Sequence, residues 1–202
     1  MPSVYDIKPA FQNLLRPLAD GLVRAGITPN QVTVAAFILS ALCGVAIALR
    51  PNSPWPLLAL PVVLFIRMAL NALDGMMARE HDLASPAGAI LNEAGDVAAD
   101  AALYLPLALV PNLNTGAVVM VVVLAGLTEL VGLAGATLGA SRRYDGPMGK
   151  SDRAFGISVL AIAAAVWPAG TPVLTGVLAV IIALEVLTIA NRARSALKEL
   201  EK

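Results

Sequence analysis

The chain has 202 residues, is 58% hydrophobic and only 14% charged, with a mean hydropathy of +0.78. A soluble domain carries about a quarter charged residues, so this composition excludes an ordinary water-soluble globule and indicates a polytopic membrane protein. Lys plus Arg and Asp plus Glu both number 14, which leaves no surplus charge to hold nucleic acid, and the single Cys43 excludes an internal disulfide.

The first residues, Met1 to Phe11, lack the basic and apolar regions of a signal peptide. Phe11, Leu14, Leu15, Leu18 and Leu22 then recur at three- and four-residue spacing. This predicts an amphipathic helix over about 8–25, within an N-terminal unit 1–27. It lies in the membrane interface or docks on the protein's own surface, with Pro17 expected to kink it. Thr28, Pro29 and Gln31 read as an N-cap, a first-turn proline and a capping box. They open the first of six spans, each of roughly 20 residues. The spans are expected near 31–49, 55–79, 86–110, 115–141, 153–167 and 173–190, in a membrane unit 28–190 followed by a polar helical tail 191–202. The fold class is therefore all-α, six transmembrane helices preceded by an interfacial helix.

Twelve Lys and Arg residues fall on the side of both termini, Arg50 alone falls on the other, and Arg67 lies inside the second span. The positive-inside rule places both termini, with the polar stretch described next, on the cytoplasmic side of the membrane. No internal repeat supports an inverted-repeat transporter.

Asn71 to Asp100 is a polar stretch inside this apolar chain. It holds Asp74, Asp82, Glu93, Asp96 and Asp100, with Asn71, Asn92 and Arg79. Ionisable groups within a span are costly and mark function. At about 100° per residue, Asn71, Asp74, Gly75 and Ala78 share one face of the second span, and Gly88, Asn92 and Asp96 share one of the third. A short loop makes these two spans antiparallel neighbours. At about 1.5 Å per residue, Asp74, Asn92 and Glu93 lie roughly 9–11 Å in, with Asn71 and Asp96 slightly deeper. Repelling carboxylates at one depth are tolerable around a divalent cation, and an all-oxygen set favours Mg²⁺, Mn²⁺ or Ca²⁺ over zinc. Small residues beside them and a phosphate-reaching Arg79 describe a diphosphate–metal site. Arg67 and Asp100, both about 20 Å deep, form a candidate buried pair beneath it.

The spacing Asp74-Gly75-x-x-Ala78-Arg79, eight residues, Gly88, three residues, Asn92, three residues, Asp96 resembles the CDP-alcohol phosphotransferase signature D-x-x-D-G-x-x-A-R-x8-G-x3-D-x3-D. Asn71 and Asn92 replace its first and third aspartates, as in a bacterial inner-membrane branch of that family. Pro29-Asn30-x-x-Thr33 at the start of the first span adds to the likeness. The resemblance implies transfer of a phosphatidyl or other substituted phosphoryl group from a CDP-alcohol, often CDP-diacylglycerol, to an acceptor hydroxyl, releasing CMP. It implies one or two Mg²⁺ or Mn²⁺ ions held by Asp74 and Asp96 with Asn71 and Asn92, and Asp96 as the base. It assigns Gly75, Ala78, Arg79, Ser85, Gly88 and Pro29 to the nucleotide and its diphosphate, and implies a homodimer. Asparagine is neutral, so two metals would be held more weakly here. Either one metal suffices, or Glu93 compensates, or catalysis is lost.

The loop after the fourth span carries Arg142, Arg143, Lys150, Ser151 and Arg153. Ser151 could cap the fifth span and present an anion site for a phosphorylated acceptor. Alternatively, these cations serve topology and lipid headgroups. Glu129 and Glu185 are expected to be buried structural contacts. His81 is expected to be a solvated loop residue, and Met68, Met76 and Met77 packing residues. The competing functions are a lipid- or nucleotide-binding scaffold and a small transporter.

Overall fold

The computed structural model describes residues 4–201, with side chains from Ala10 onward. Met1 to Ser3 of the expected N-terminal unit, the Lys8 side chain and Lys202 lie outside this description. Seven α-helices follow one another: α1 (Val4–Arg24), α2 (Pro29–Leu49), α3 (Pro54–Glu80), α4 (Pro86–Tyr104), α5 (Thr115–Thr137), α6 (Lys150–Val166) and α7 (Thr171–Leu200). Among the described residues there is no strand.

Local chemistry sets the helix starts. Thr28 accepts from the Gln31 amide at 3.4 Å while Gln31 Oε1 accepts from the Thr28 amide at 2.9 Å, the expected capping box. Ser85 caps α4 by accepting from the Gly88 amide at 3.0 Å, and prolines occupy the first turns of α2, α3, α4 and α7. Helix α1 runs unbroken through Pro17.

The helices pack pairwise into a closed ring in the order α2, α3, α6, α7, α5, α4 and back to α2, with α1 laid against α3. Helix α2 lies between α3 and α4, because it packs on both while those two barely touch along their backbones. This corrects the expectation that a short loop makes α3 and α4 close neighbours. The tight seam between α2 and α4 needs Gly44: a side chain there would overlap the Ala102 carbonyl.

The ring's interior changes character along its length. On α7 the buried row is Leu174, Leu178, Ile181, then Glu185, Thr188 and Arg192, at three- and four-residue spacing. On α3 it is Leu57, Leu60 and Leu64, then Arg67. One end of the bundle is an aliphatic core containing Ile47, Leu60, Leu103, Leu107, Leu160 and Leu178. The other end is ionic. The outside is apolar, with Leu42, Leu49, Trp55, Phe65 and Phe155 exposed, the surface expected of a bundle bathed in lipid.

Several boundaries differ from expectation. Four helices, α2, α3, α5 and α7, are long and apolar enough to cross a membrane, against six expected. Helix α4 carries Glu93, Asp96 and Asp100, and α6 has 17 residues with Lys150, Asp152 and Arg153 at its start. The third span was expected to reach 110, but α4 ends at Tyr104 and a 3₁₀ turn, Leu105–Leu109, follows with Pro106 in its first turn. Helix α5 stops at Thr137 rather than 141, before Gly139 with φ 103°. Helix α7 continues to Leu200, so the residues after 190 are not a separate element.

Candidate active site

Three helices bring the polar stretch together. Asp74, in the penultimate turn of α3, is buried and accepts a hydrogen bond from Thr33 Oγ1 of α2 at 2.7 Å; the same hydroxyl lies 3.1 Å from the Pro29 carbonyl. The Pro29–Thr33 turn also meets α4, since a side chain at Gly88 would lie 2.7 Å from Asn30 Oδ1. The α2 start is therefore wedged between the two arms of the motif. Exposed Arg79 folds its guanidinium back over Gly75, where an added Cβ would come within 3.1 Å of it. Among the described residues Arg79 has no ion-pair partner. Ala78 is half-buried one residue before it.

Asp96 of α4 is half-buried and shared. Asn71 of α3 donates to Asp96 Oδ1 at 3.0 Å, and Lys150, the first residue of α6, forms an ion pair with the same oxygen. Asn92, one turn before Asp96, is half-buried and forms no hydrogen bond among the described residues. A cavity of about 180 Å³ adjoins Asn71 and Lys150.

Below this layer lies a dense ionic cluster. Arg67 pairs with Asp100, as expected, and also donates to the Asp96 carbonyl at 3.0 Å. Arg153 is fully buried and donates to Asp100 Oδ2 at 2.9 Å and to Thr128 Oγ1 at 3.3 Å. Glu129 stands 3.5–3.6 Å from Arg153, Arg142 and Arg192. Glu185 faces Arg153 at 3.8 Å, and neither of its oxygens has a hydrogen-bond partner among the described residues. Charges at this burial persist only when paired.

Several sequence-derived placements change here. Arg153 belongs to the buried cluster and not to an open anion pocket. Ser151 does not cap α6: the cap residue is Gly149, whose amide donates to Asp152 at 3.1 Å. Glu93 turns to Arg142 and forms an ion pair with it, away from the Asp74–Asp96 layer. Arg143 pairs with Glu199 and donates to the Ser195 carbonyl at 2.9 Å. His81 is tied to Asp20 of α1 at 3.0 Å instead of lying free in solvent. Met76 and Met77 are packing residues, as expected, while Met68 is 42% exposed.

The sequence marks Thr33 only as part of the Pro29-Asn30-x-x-Thr33 likeness, without a role, and Arg192 only as one of the cations on the side of the termini. Thr33 belongs to the Pro-Asn-x-x-Thr turn, and a hydroxyl one turn after the first-turn proline faces the helix Pro29 packs on. Arg192 continues the Glu185, Thr188 row of α7, a polar stripe at helical spacing that a tail reading obscures.

Comparison with known proteins accounts for this arrangement. The CDP-alcohol phosphatidyltransferase profile matches residues 26–192. The chain belongs to the CDP-alcohol phosphatidyltransferase family. Within it, inner membrane protein YnbA of Escherichia coli K12 is 48% identical over 166 residues, 82% of each chain. Phosphatidylinositol phosphate synthase of Mycobacterium tuberculosis is 36% identical over 95 residues, 47% of this chain and 42% of that enzyme. The crystal structure of that synthase with CDP-DAG bound superimposes with a TM-score of 0.73 at 23% identity, covering 89% of this chain and 92% of the other. A second, with manganese and citrate, gives 0.73 at 23% identity, covering 90% and 88%. The bundle is thus the fold of this family, with asparagine at two motif positions.

Proposed function

We propose that the chain transfers a phosphatidyl group from CDP-diacylglycerol to an alcohol, with release of CMP, in a bacterial inner membrane. The observation that carries this is the juxtaposition of Asp96, Asn71 and Lys150 beside a helix end where Arg79 overlies Gly75 and, among the described residues, has no ion-pair partner. The names of the relatives support the substrate and the compartment, and the apolar exterior supports the membrane. The proposal includes six crossings, with both termini and the site facing the cytoplasm, α1 lying at the interface, and a homodimer.

Arg79 is assigned to the diphosphate, where its planar fork matches two phosphate oxygens. Gly75, Ala78, Ser85, Gly88 and Pro29 line the nucleotide. The family implies a divalent metal, and the donor set limits how many ions it fits. Among the described residues no three Asp, Glu, His or Cys side chains form a metal-holding group, so Asp74 and Asp96 need the amide oxygens of Asn71 and Asn92. Two carboxylates balance one Mg²⁺ or Mn²⁺, and Lys150 supplies a further positive charge at Asp96. The protein alone balances a single ion; a second would draw its counter-charge from the diphosphate of the substrate. Such an ion supplies charge neutralisation for the diphosphate.

Asp96 takes the proton of the acceptor hydroxyl as its oxygen attacks the phosphorus that carries the diacylglycerol. The bond from that phosphorus to the bridging oxygen breaks, and CMP leaves. Asn71 and Lys150 hold the Asp96 carboxylate in place for this transfer. The test is CMP release from CDP-diacylglycerol by the purified protein with Mn²⁺ or Mg²⁺ and a panel of alcohols. CMP is expected with at least one acceptor; none with any acceptor leaves the scaffold reading.

A further inference from the structure

Resting on that function, we infer that the acceptor is an uncharged alcohol and not a phosphorylated one. The arginines that sequence places at the acceptor entrance each face an acid that the chemistry does not use. Arg142 pairs with Glu93 and lies 3.6 Å from Glu129. Arg143 pairs with Glu199, and Arg153, which shares Asp100 with Arg67, also faces Glu129 at 3.5 Å and Glu185 at 3.8 Å; Lys150 shares Asp96 with the chemistry. An acceptor phosphate brings nearly two negative charges into this layer. To reach Arg142 or Arg143 it would have to displace Glu93 or Glu199 from its arginine. Arg79, on the donor side, has no such acid, so the charge pattern separates a diphosphate end from a neutral end.

The cavity beside Asp96 agrees. Its volume is about 180 Å³, and Leu64, Met68, Ala72 and Ala154 make up much of its wall. Asn71 and Lys150 stand at the end nearest Asp96. Arg67 also borders it, but its charge is committed to Asp100. A small uncharged alcohol fits such a space, with a hydroxyl reaching the Asp96 carboxylate past the Asn71 amide.

The experiment compares matched pairs of acceptors, glycerol against glycerol 3-phosphate and inositol against inositol phosphate. CMP release is measured with purified protein, CDP-diacylglycerol and Mn²⁺. The neutral member of at least one pair is expected to give a kcat/KM about tenfold or more above its phosphorylated partner. In Glu93→Gln, which uncovers the Arg142 charge, that ratio is expected to fall by about tenfold. Preference for the phosphorylated member in wild type overturns the inference, as does a ratio that Glu93→Gln leaves unchanged. Absence of CMP with every acceptor instead overturns the transferase function on which it rests, so the two failures are told apart.

Discussion

The donor end and the acceptor end of the bundle handle charge in opposite ways. Around Arg79 and Gly75 the end of α3 is exposed, and Arg79 forms no ion pair among the described residues, while its neighbours Glu80 and His81 pair with Arg16 and Asp20 of α1. Between α4, α5, α6 and α7, four arginines and a lysine meet Glu93, Asp96, Asp100, Glu129 and Glu185 at close range. An open cation is available to a ligand, whereas a compensated one holds structure. Basic residues counted alike along the sequence therefore divide into two kinds, and only their partners show which is which.

This contrast can be broken most sharply at Arg153. Replacing it by Met leaves Glu185 without its buried partner and Asp100 with Arg67 alone, and the expected loss is about 3–5 kcal/mol, read as a lower unfolding temperature in detergent. Pairing it with Glu185→Leu, which removes the acid that loses its cation, should recover part of that loss; no recovery would mean the cluster is not held by this pair. Next in size is Asp96→Asn, which keeps the shape beside Asn71 and Lys150 but removes the base. CMP release should fall by about 10²-fold or more with the fold retained. A variant as active as wild type removes Asp96 from the chemistry.

At the open end the effects are smaller and fall on the substrate. Arg79→Gln removes charge-assisted hydrogen bonds worth about 1.5–3 kcal/mol and should raise KM for CDP-diacylglycerol by about tenfold or more, with little change in unfolding temperature. A large stability loss with unchanged KM would make Arg79 structural and erase the distinction between the two ends. Smallest is Thr33→Val, which deletes the hydroxyl bonded to Asp74 and leaves α2 in place. It should cost about 1 kcal/mol and weaken Mn²⁺ binding, measured by electron paramagnetic resonance of the free ion.

Much of the local order was legible in the chain. The Thr28–Gln31 box, the Ser85-Pro86 start and the Arg67–Asp100 pair follow from caps, prolines and helical depth, all short-range rules. The spacing that puts Asp96 across from Asn71 was also readable. What was not readable is which helix lies between which. The wedge of α2 between α3 and α4 depends on backbone approach at Gly44 and Gly88, which composition does not encode. The burial of Arg153 and Arg192 was hidden for a related reason. A positive-inside count assigns arginines to loops, and only a partner such as Glu129 or Asp100, 63 or 53 positions away by sequence numbering, pulls them inside.

The Arg67–Asp100–Arg153 link also bears on how the chain enters a bilayer during synthesis. A charged residue at the centre of a lone helix opposes insertion by about 2.5–3.5 kcal/mol, and α4 carries three acids, Glu93, Asp96 and Asp100. Its first counter-charge, Arg67, has already been made in α3, so in the proposed six-crossing arrangement α3 and α4 would gain by entering together as a hairpin. The second, Arg153, arrives only with α6. The nascent chain thus holds an incompletely neutralised Asp100 until about fifty further residues have emerged, and α4 settles last in spirit though third in order among the ring helices.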